Sequence, residues 1–215
     1  MRRYDLAIHG FGILPALLAI HLLDRDPGQS LLLLSGNKTI GGESLEPVVT
    51  SSLSSAAATL VEPFVVRRWP GYFVTRNGTT TSRDDEVRLL DPLQIWLELQ
   101  GLIETADMVT DVGPVSQDHE TLTWAGGSAQ VAQLVDLTAL TRRDHSDEIL
   151  GLELARSLPW PVLCDFDTGA EPWDAFQHIP LGDDRVYVRK RNCQGEPEAD
   201  LTTGFGRLLS DLIGY

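Results

Sequence analysis

Residue types and spacings that could do chemistry begin at Gly10-Phe11-Gly12-Ile13-Leu14-Pro15, which follows a short apolar run and opens a helical one. A dinucleotide fingerprint belongs at that place. Gly10 would let the chain turn tightly, and Gly12 would leave room for a pyrophosphate against free helix amides. The third position, normally a glycine for close helix–strand packing, is Pro15, which a first helical turn tolerates. The residue that should grip ribose hydroxyls is Ser35, since the second strand ends Leu34-Ser35-Gly36. A serine hydroxyl cannot hold two hydroxyls as a carboxylate does. Gly10, Gly12 and Ser35 are thus the cofactor-binding candidates, and a βαβ unit without a cofactor is the alternative.

A second feature is the run Arg185-Val186-Tyr187-Val188-Arg189-Lys190-Arg191. Strand alternation puts Arg185, Tyr187, Arg189 and Arg191 on one face. Those guanidinium groups require anions opposite them: internal Asp or Glu, an acidic partner surface, or a carboxylate- or phosphate-bearing ligand. Trp69 and Tyr72 flank Pro70-Gly71 and would line an apolar pocket or pack in the core. Asp165 follows the apolar Val162-Leu163-Cys164, where burial would keep a carboxyl protonated and able to act as an acid; capping a local turn is the other reading. His178 lies between apolar residues. Glu43 and Glu46 lie on a glycine-rich loop, where solvation is the default for a carboxylate. His9 precedes the glycine turn and would crowd a pyrophosphate. No metal site is expected, because no HxxxH or HExxH spacing occurs, and no serine has a nucleophile-elbow context.

The elements that must position these residues follow from periodicity. Tyr4–His9 reads as a strand, Ile13–Leu23 as a helix, and Leu31–Leu34 as a strand buried on both faces. Together they form a βαβ unit. Ser35–Pro47 reads as a loop and Ser51–Leu60 as a short helix or mobile stretch. Val61–Thr75 reads as strand, turn, strand. Asp91 caps a helix with Pro92 at its first position. Met108–Val115, Thr121–Trp124 and Ala129–Asp136 are expected strands. So are 150–154, 162–166, 176–180 and 185–191, and Leu201–Ile213 is expected to form a closing helix. The fold class is α/β: a Rossmann-like βαβ dinucleotide-binding core with a mixed, mostly antiparallel second sheet. The core is expected from 1–60 and 91–148, the sheet subdomain from 61–90 and 149–215.

Composition narrows the partners. The 215 residues carry 17 basic and 31 acidic side chains, a net charge of −14. That balance argues against nucleic acid and against an anionic membrane surface. Cys164 and Cys193 are too few for a disulfide framework, so a reduced, cytoplasmic protein is expected. The apolar stretch Phe11–Leu23 is shorter than the roughly 20 residues that span a bilayer, and no cleavage site follows it.

Ordered patches then resemble bacterial lycopene β-cyclases: the glycine turn, Val65–Tyr72, Leu134-Val135-Asp136, Gly151–Leu154, Trp160–Phe166 and Phe176–Leu181. The resemblance implies an FAD-type Rossmann domain, a long apolar polyene substrate and acid-initiated ring closure without net oxidation. The family's glutamate position on the later strand is Arg189 here. It implies a protein acting on a hydrophobic, isoprenoid- or polyketide-like molecule, with or without an acid group, by cyclisation or isomerisation. Asp165, His178 and Glu43 are the catalytic candidates, and Trp69, Tyr72, Arg185, Arg189 and Arg191 the substrate-binding ones. FAD is expected to be held weakly or not at all. The alternative is a non-catalytic ligand-binding relative, or the partner of a full-length flavoenzyme; a homodimer also stays open.

Overall fold

In chain order, the computed structural model contains β1 (Arg3–His9), α1 (Ile13–Arg25), β2 (Leu31–Ser35), β3 (Glu46–Val49), α2 (Ser55–Val61), β4 (Val65–Trp69), β5 (Tyr72–Arg76), β6 (Thr79–Arg83), β7 (Val87–Leu90), α3 (Pro92–Gly101), β8 (Ala106–Thr110), β9 (Ser116–Asp118), β10 (Thr121–Trp124), β11 (Gly127–Asp136), β12 (Leu150–Glu153), β13 (Val162–Asp165), β14 (Asp174–Pro180), β15 (Arg185–Asn192) and α4 (Glu198–Ile213). The structure describes residues 1–10, 12–36, 40–42, 44–102, 106–138, 150–153, 159–165, 174–181, 185–192 and 198–214. The chain divides into two units, Met1–Leu45 with Asp91–Arg142, and Glu46–Leu90 with Arg143–Tyr215. Residues 46–60 therefore group with the second unit.

The first unit is the βαβ core. Its sheet runs β8-β2-β1-β11-β10-β9. β8, β2, β1 and β11 are parallel, while β10 and β9 return antiparallel from β11. β2 is buried at all five positions, as its run of leucines requires in a sheet covered on both faces. Leu32 and Leu34 join Tyr4, Ala7, Val112, Leu122, Ala129 and Val131 in one cluster. Burying each large side chain contributes about 1.5–3 kcal/mol. α1 packs against α3, whose entry is set by Asp91: its carboxylate accepts the Leu93 N–H at 2.9 Å, with Pro92 next in line.

The second unit holds a six-stranded sheet, β12-β15-β14-β13-β5-β6, and a three-stranded one, β3-β7-β4. α4 packs on β3, β13 and α2. Two expectations change here. The loop after β2 ends at Leu45, because the β-branched Val48-Val49 pair with β7 as a strand. β4 and β5 form as expected but belong to different sheets, so Pro70-Gly71 joins two sheets instead of closing a hairpin. The hairpin lies one step later: Asn77 and Gly78, with φ of 51° and 70°, connect β5 to β6. The stretch after Thr50 is a 3-10 turn followed by α2, capped by Ser54 Oγ accepting the Ala57 N–H.

Candidate functional site

In the first unit, β1 has β2 on one side and β11 on the other, so the sheet reverses its winding at β1. In doubly wound sheets ligands bind outside the carboxyl ends of the strands at such a reversal. The two strand-end residues there are His9 and Asp136, which face each other in register. His9 is buried, and its Nδ1 lies 3.6 Å from Asp136 Oδ1. The same Oδ1 accepts the Thr138 N–H at 2.9 Å and the Thr138 hydroxyl at 2.7 Å, which anchors the carboxylate. His9 thus meets an aspartate where the sequence placed it against a cofactor turn.

The glycine turn is formed next to this pair. Gly10 N–H donates to Leu34 O at 3.0 Å. A Cβ on Gly10 would stand 2.9 Å from Pro15 Cγ and 3.1 Å from Leu137 Cβ. Pro15 therefore fills the helix–strand contact that a third glycine would leave thin. Gly12 has φ 89° and ψ −167°, a region essentially reserved for glycine, and nothing lies within 4 Å of its Cβ position. Among the described residues, no side chain caps α1 there, and no acid stands in its first turn. Gly42 comes close over the turn, its Cβ position 3.3 Å from Gly12 Cα.

FAD is the cofactor that the lycopene-cyclase resemblance implies. Its phosphates fit the open side of Gly12 and the N–H groups of Ile13 and Leu14 at the positive end of α1. Its adenosine ribose does not fit the end of β2, where Ser35 is 0% exposed and its carbonyl accepts the Val112 N–H at 3.1 Å.

In the second unit the main polar feature is an ion pair. Arg189 on β15 is 2% exposed, and its Nη1 donates to Glu46 Oε2 of β3 at 2.6 Å. Gln177, opposite Arg189 on β14, is also buried, and its Oε1 has no hydrogen-bond partner among the described residues. Of the two readings of the basic strand, Arg189 thus takes internal pairing. Glu46 was expected on a solvated loop; it is a buried carboxylate at the start of a strand. The β-branched Val48-Val49-Thr50 behind Pro47 was the signal that could have found it.

The remaining candidates scatter. Trp69 and Tyr72 are buried in the core, and the Arg67 guanidinium sits 5.8 Å from the centre of the Trp69 ring. His178 is half-buried on β14, its ring 6.4 Å from Phe176. Asp165 ends β13 opposite Phe176 of β14 and Thr75 of β5. Arg185 and Arg191 stand opposite Glu153 and Ala175. Of these last three only the strand positions are described, and Glu43 lies outside the described residues. Arg68 and Arg88 share Glu62 and Glu86. Arg88, helped by Thr50 and Arg68 and opposed by burial, holds the Glu86 carboxyl below its usual range. Among the described residues, no three His, Cys, Asp or Glu gather as a metal site. Among the described residues, no helix is long and apolar enough to cross a membrane.

No protein-family model matches the chain. In sequence it is 26% identical over 170 residues to the small ribosomal subunit protein uS2 of Bartonella tribocorum, covering 77% of this chain and 61% of that protein. Solved structures are similar along nearly the whole chain. A geranylgeranyl bacteriochlorophyll reductase-like protein from Thermoplasma acidophilum has a TM-score of 0.60 at 12% identity, covering 100% of this chain and 61% of that one. A probable FAD-dependent monooxygenase from Pseudomonas aeruginosa has 0.53 at 16% identity, covering 91% and 62%. The myxobacterial chondrochloren halogenase, a variant of the FAD-dependent halogenases, has 0.52 at 15% identity, covering 91% and 54%. The chain thus has the α/β fold of FAD-dependent enzymes and spans less than two thirds of these proteins' lengths.

Proposed function

We propose that this protein binds a hydrophobic, isoprenoid-type molecule on a flavoenzyme fold, as a ligand-binding relative of such enzymes. The observation that carries this reading is the Arg189–Glu46 pair. The lycopene-cyclase resemblance calls for a carboxyl on β15 that hands a proton to a polyene. Here that position is a guanidinium, and the carboxylate it meets has an oxygen occupied by it. A ring-closing acid needs a carboxyl presented to the substrate. The fold likeness to a geranylgeranyl bacteriochlorophyll reductase-like protein supports an isoprenoid as the ligand class. The likeness to a ribosomal protein carries no RNA reading. The net charge is −14, and Arg2, Arg68, Arg88 and Arg189 are each taken by carboxylates of the same chain.

The second reading keeps catalysis. Asp165 ends a strand hydrogen-bonded on both sides, by β14 and β5, a placement suited to holding an acid against an apolar substrate. One experiment separates the two. All-trans lycopene and geranylgeraniol, delivered in detergent micelles, are titrated against the tryptophan fluorescence of the protein, and extracted lipids are then analysed by chromatography. Saturable binding with unchanged lipid supports the binding reading. A cyclised or isomerised product that disappears in Asp165→Asn supports the enzyme, and absence of saturable binding overturns both.

A further inference from the structure

We infer that β6 is a dimerisation edge: it pairs antiparallel with β6 of a second copy of this chain, Thr81 facing Thr81 across a two-fold axis. The inference stands apart from the ligand reading above.

Among the described strands β6 ends the six-stranded sheet of the second unit, and Thr79, Thr80, Thr81, Ser82 and Arg83 are all exposed. An open strand edge is a template for another strand, and proteins blunt such edges with charge, proline, glycine or brevity. The other described edge strands follow that rule. β3 opens with Glu46-Pro47, β4 carries Arg67 and Arg68, and β8 carries Asp107. β9 is three residues ending in Asp118, and β12 is four residues with Gly151 inside it. β6 instead presents a run of hydroxyl side chains before its only charge, Arg83.

The hydrogen-bond parity of β6 suits it to accept a strand. Asn77 and Gly78, both at positive φ, close the β5–β6 hairpin as a two-residue turn, so Arg76 and Thr79 exchange both backbone bonds. The exchange recurs at every second pair, Val74 with Thr81 and Tyr72 with Arg83. Phe73 fits the alternation: its N–H turns away from its neighbour Ser82 and donates to Pro161 O at 2.9 Å. The backbone N–H and C=O groups of Thr80 and Ser82 therefore point out along the sheet's open edge.

That edge is complementary to itself. With Thr81 on the axis, Thr80 of each copy lies opposite Ser82 of the other, and each such pair exchanges both backbone hydrogen bonds. Thr81 meets Thr81 between them, and Thr79 meets Arg83. Thr–Thr and Thr–Ser pairs are favourable across strands, and no like charges stand opposite one another. Arg76, one strand further in, keeps about 10 Å from the second copy's Arg83, a distance at which salt screens the repulsion. A contact of one short strand per copy is small, so the dimer is expected to be weak.

The test is sedimentation velocity of the full chain from about 1 µM to about 1 mM, the range in which small interfaces associate, with thermal midpoints as a control for the fold. The wild type is expected to pass reversibly from monomer to dimer. Ser82→Pro removes an outward N–H and spares the β5 ladder, so it should weaken the dimer by about tenfold or more. Thr81→Glu and Thr81→Lys each put like charges on the axis; each should be monomeric alone, and the two should pair when mixed. That mixture tests the axis even if Ser82→Pro fails to fold. A wild type that stays monomeric overturns the inference and leaves the edge to a strand of a different protein. A dimer undiminished in folded Ser82→Pro also overturns it, because the contact then lies elsewhere. So does a Glu/Lys mixture that associates no better than its components. Species that grow beyond a dimer overturn the two-fold pairing.

Discussion

Arg189 and Glu46, separated by 143 residues of sequence, form a buried ion pair in which Nη1 donates to Oε2 at 2.6 Å. The pair ties the three-stranded sheet to the six-stranded sheet of the second unit, because Glu46 opens β3 and Arg189 lies on β15. Two desolvated charges are tolerated inside a protein only while each has the other.

Removing one partner should therefore be far worse than removing both. Glu46→Gln leaves the guanidinium buried without its counter-charge and should destabilise the protein by about 3–5 kcal/mol in urea denaturation. The double variant Glu46→Leu/Arg189→Met fills the same space with apolar atoms and should recover most of that loss. A double variant as unstable as the single one would mean that the charges serve packing in some way other than as a pair.

The glycine turn gives a paired prediction with different physical causes. Gly12→Ala meets no atom but forces an L side chain into φ 89°, ψ −167°, at a cost of about 1–3 kcal/mol. Gly10→Ala instead drives its methyl group into Pro15 and Leu137, an overpacking cost of about 1–3 kcal/mol. Adding Pro15→Ala should relieve the second variant and not the first, read as the recovery of the thermal midpoint. Equal relief in both would show that the backbone at Gly12 is not what limits substitution.

His21 on α1 should make stability depend on pH. Burial pushes its imidazole below the ordinary value, Arg25 pushes it further and Asp24 partly opposes them; Nε2 is buried without a partner among the described residues. A depressed folded-state value means that the unfolded chain takes up the proton first. Its contribution is therefore complete above the unfolded value, about 6.5, and is lost as pH falls below that. Urea midpoints between about pH 7 and 5 should decline in the wild type more steeply than in His21→Leu. Parallel curves would remove His21 from the pH dependence.

Much of the fold was legible in the chain because its signals are local. The leucine run of β2, the glycine turn ahead of α1, and the Asp91-Pro92 start of α3 each act through a few neighbouring residues, and each element formed where its pattern stands. The Asn77-Gly78 turn was equally local and was passed over, although a turn needing two positive φ values favours that dipeptide.

Pairings between distant strands are what only the tertiary structure decided. Alternation placed Arg185, Arg189 and Arg191 on one face of a strand, but it could not say that β3 would bring Glu46 to Arg189. Nor could it place the strands on either side of Pro70-Gly71 in separate sheets. Sequence patterns determined that Ser35, and no carboxylate, ends β2. Only the packed sheet decided that its side chain is enclosed, and that His9 and Asp136 meet at the strand ends. The physical reason is that hydrophobic periodicity and turn chemistry act within a few residues, whereas the partner of a buried charge is chosen by sheet order and register, which the chain settles only as a whole.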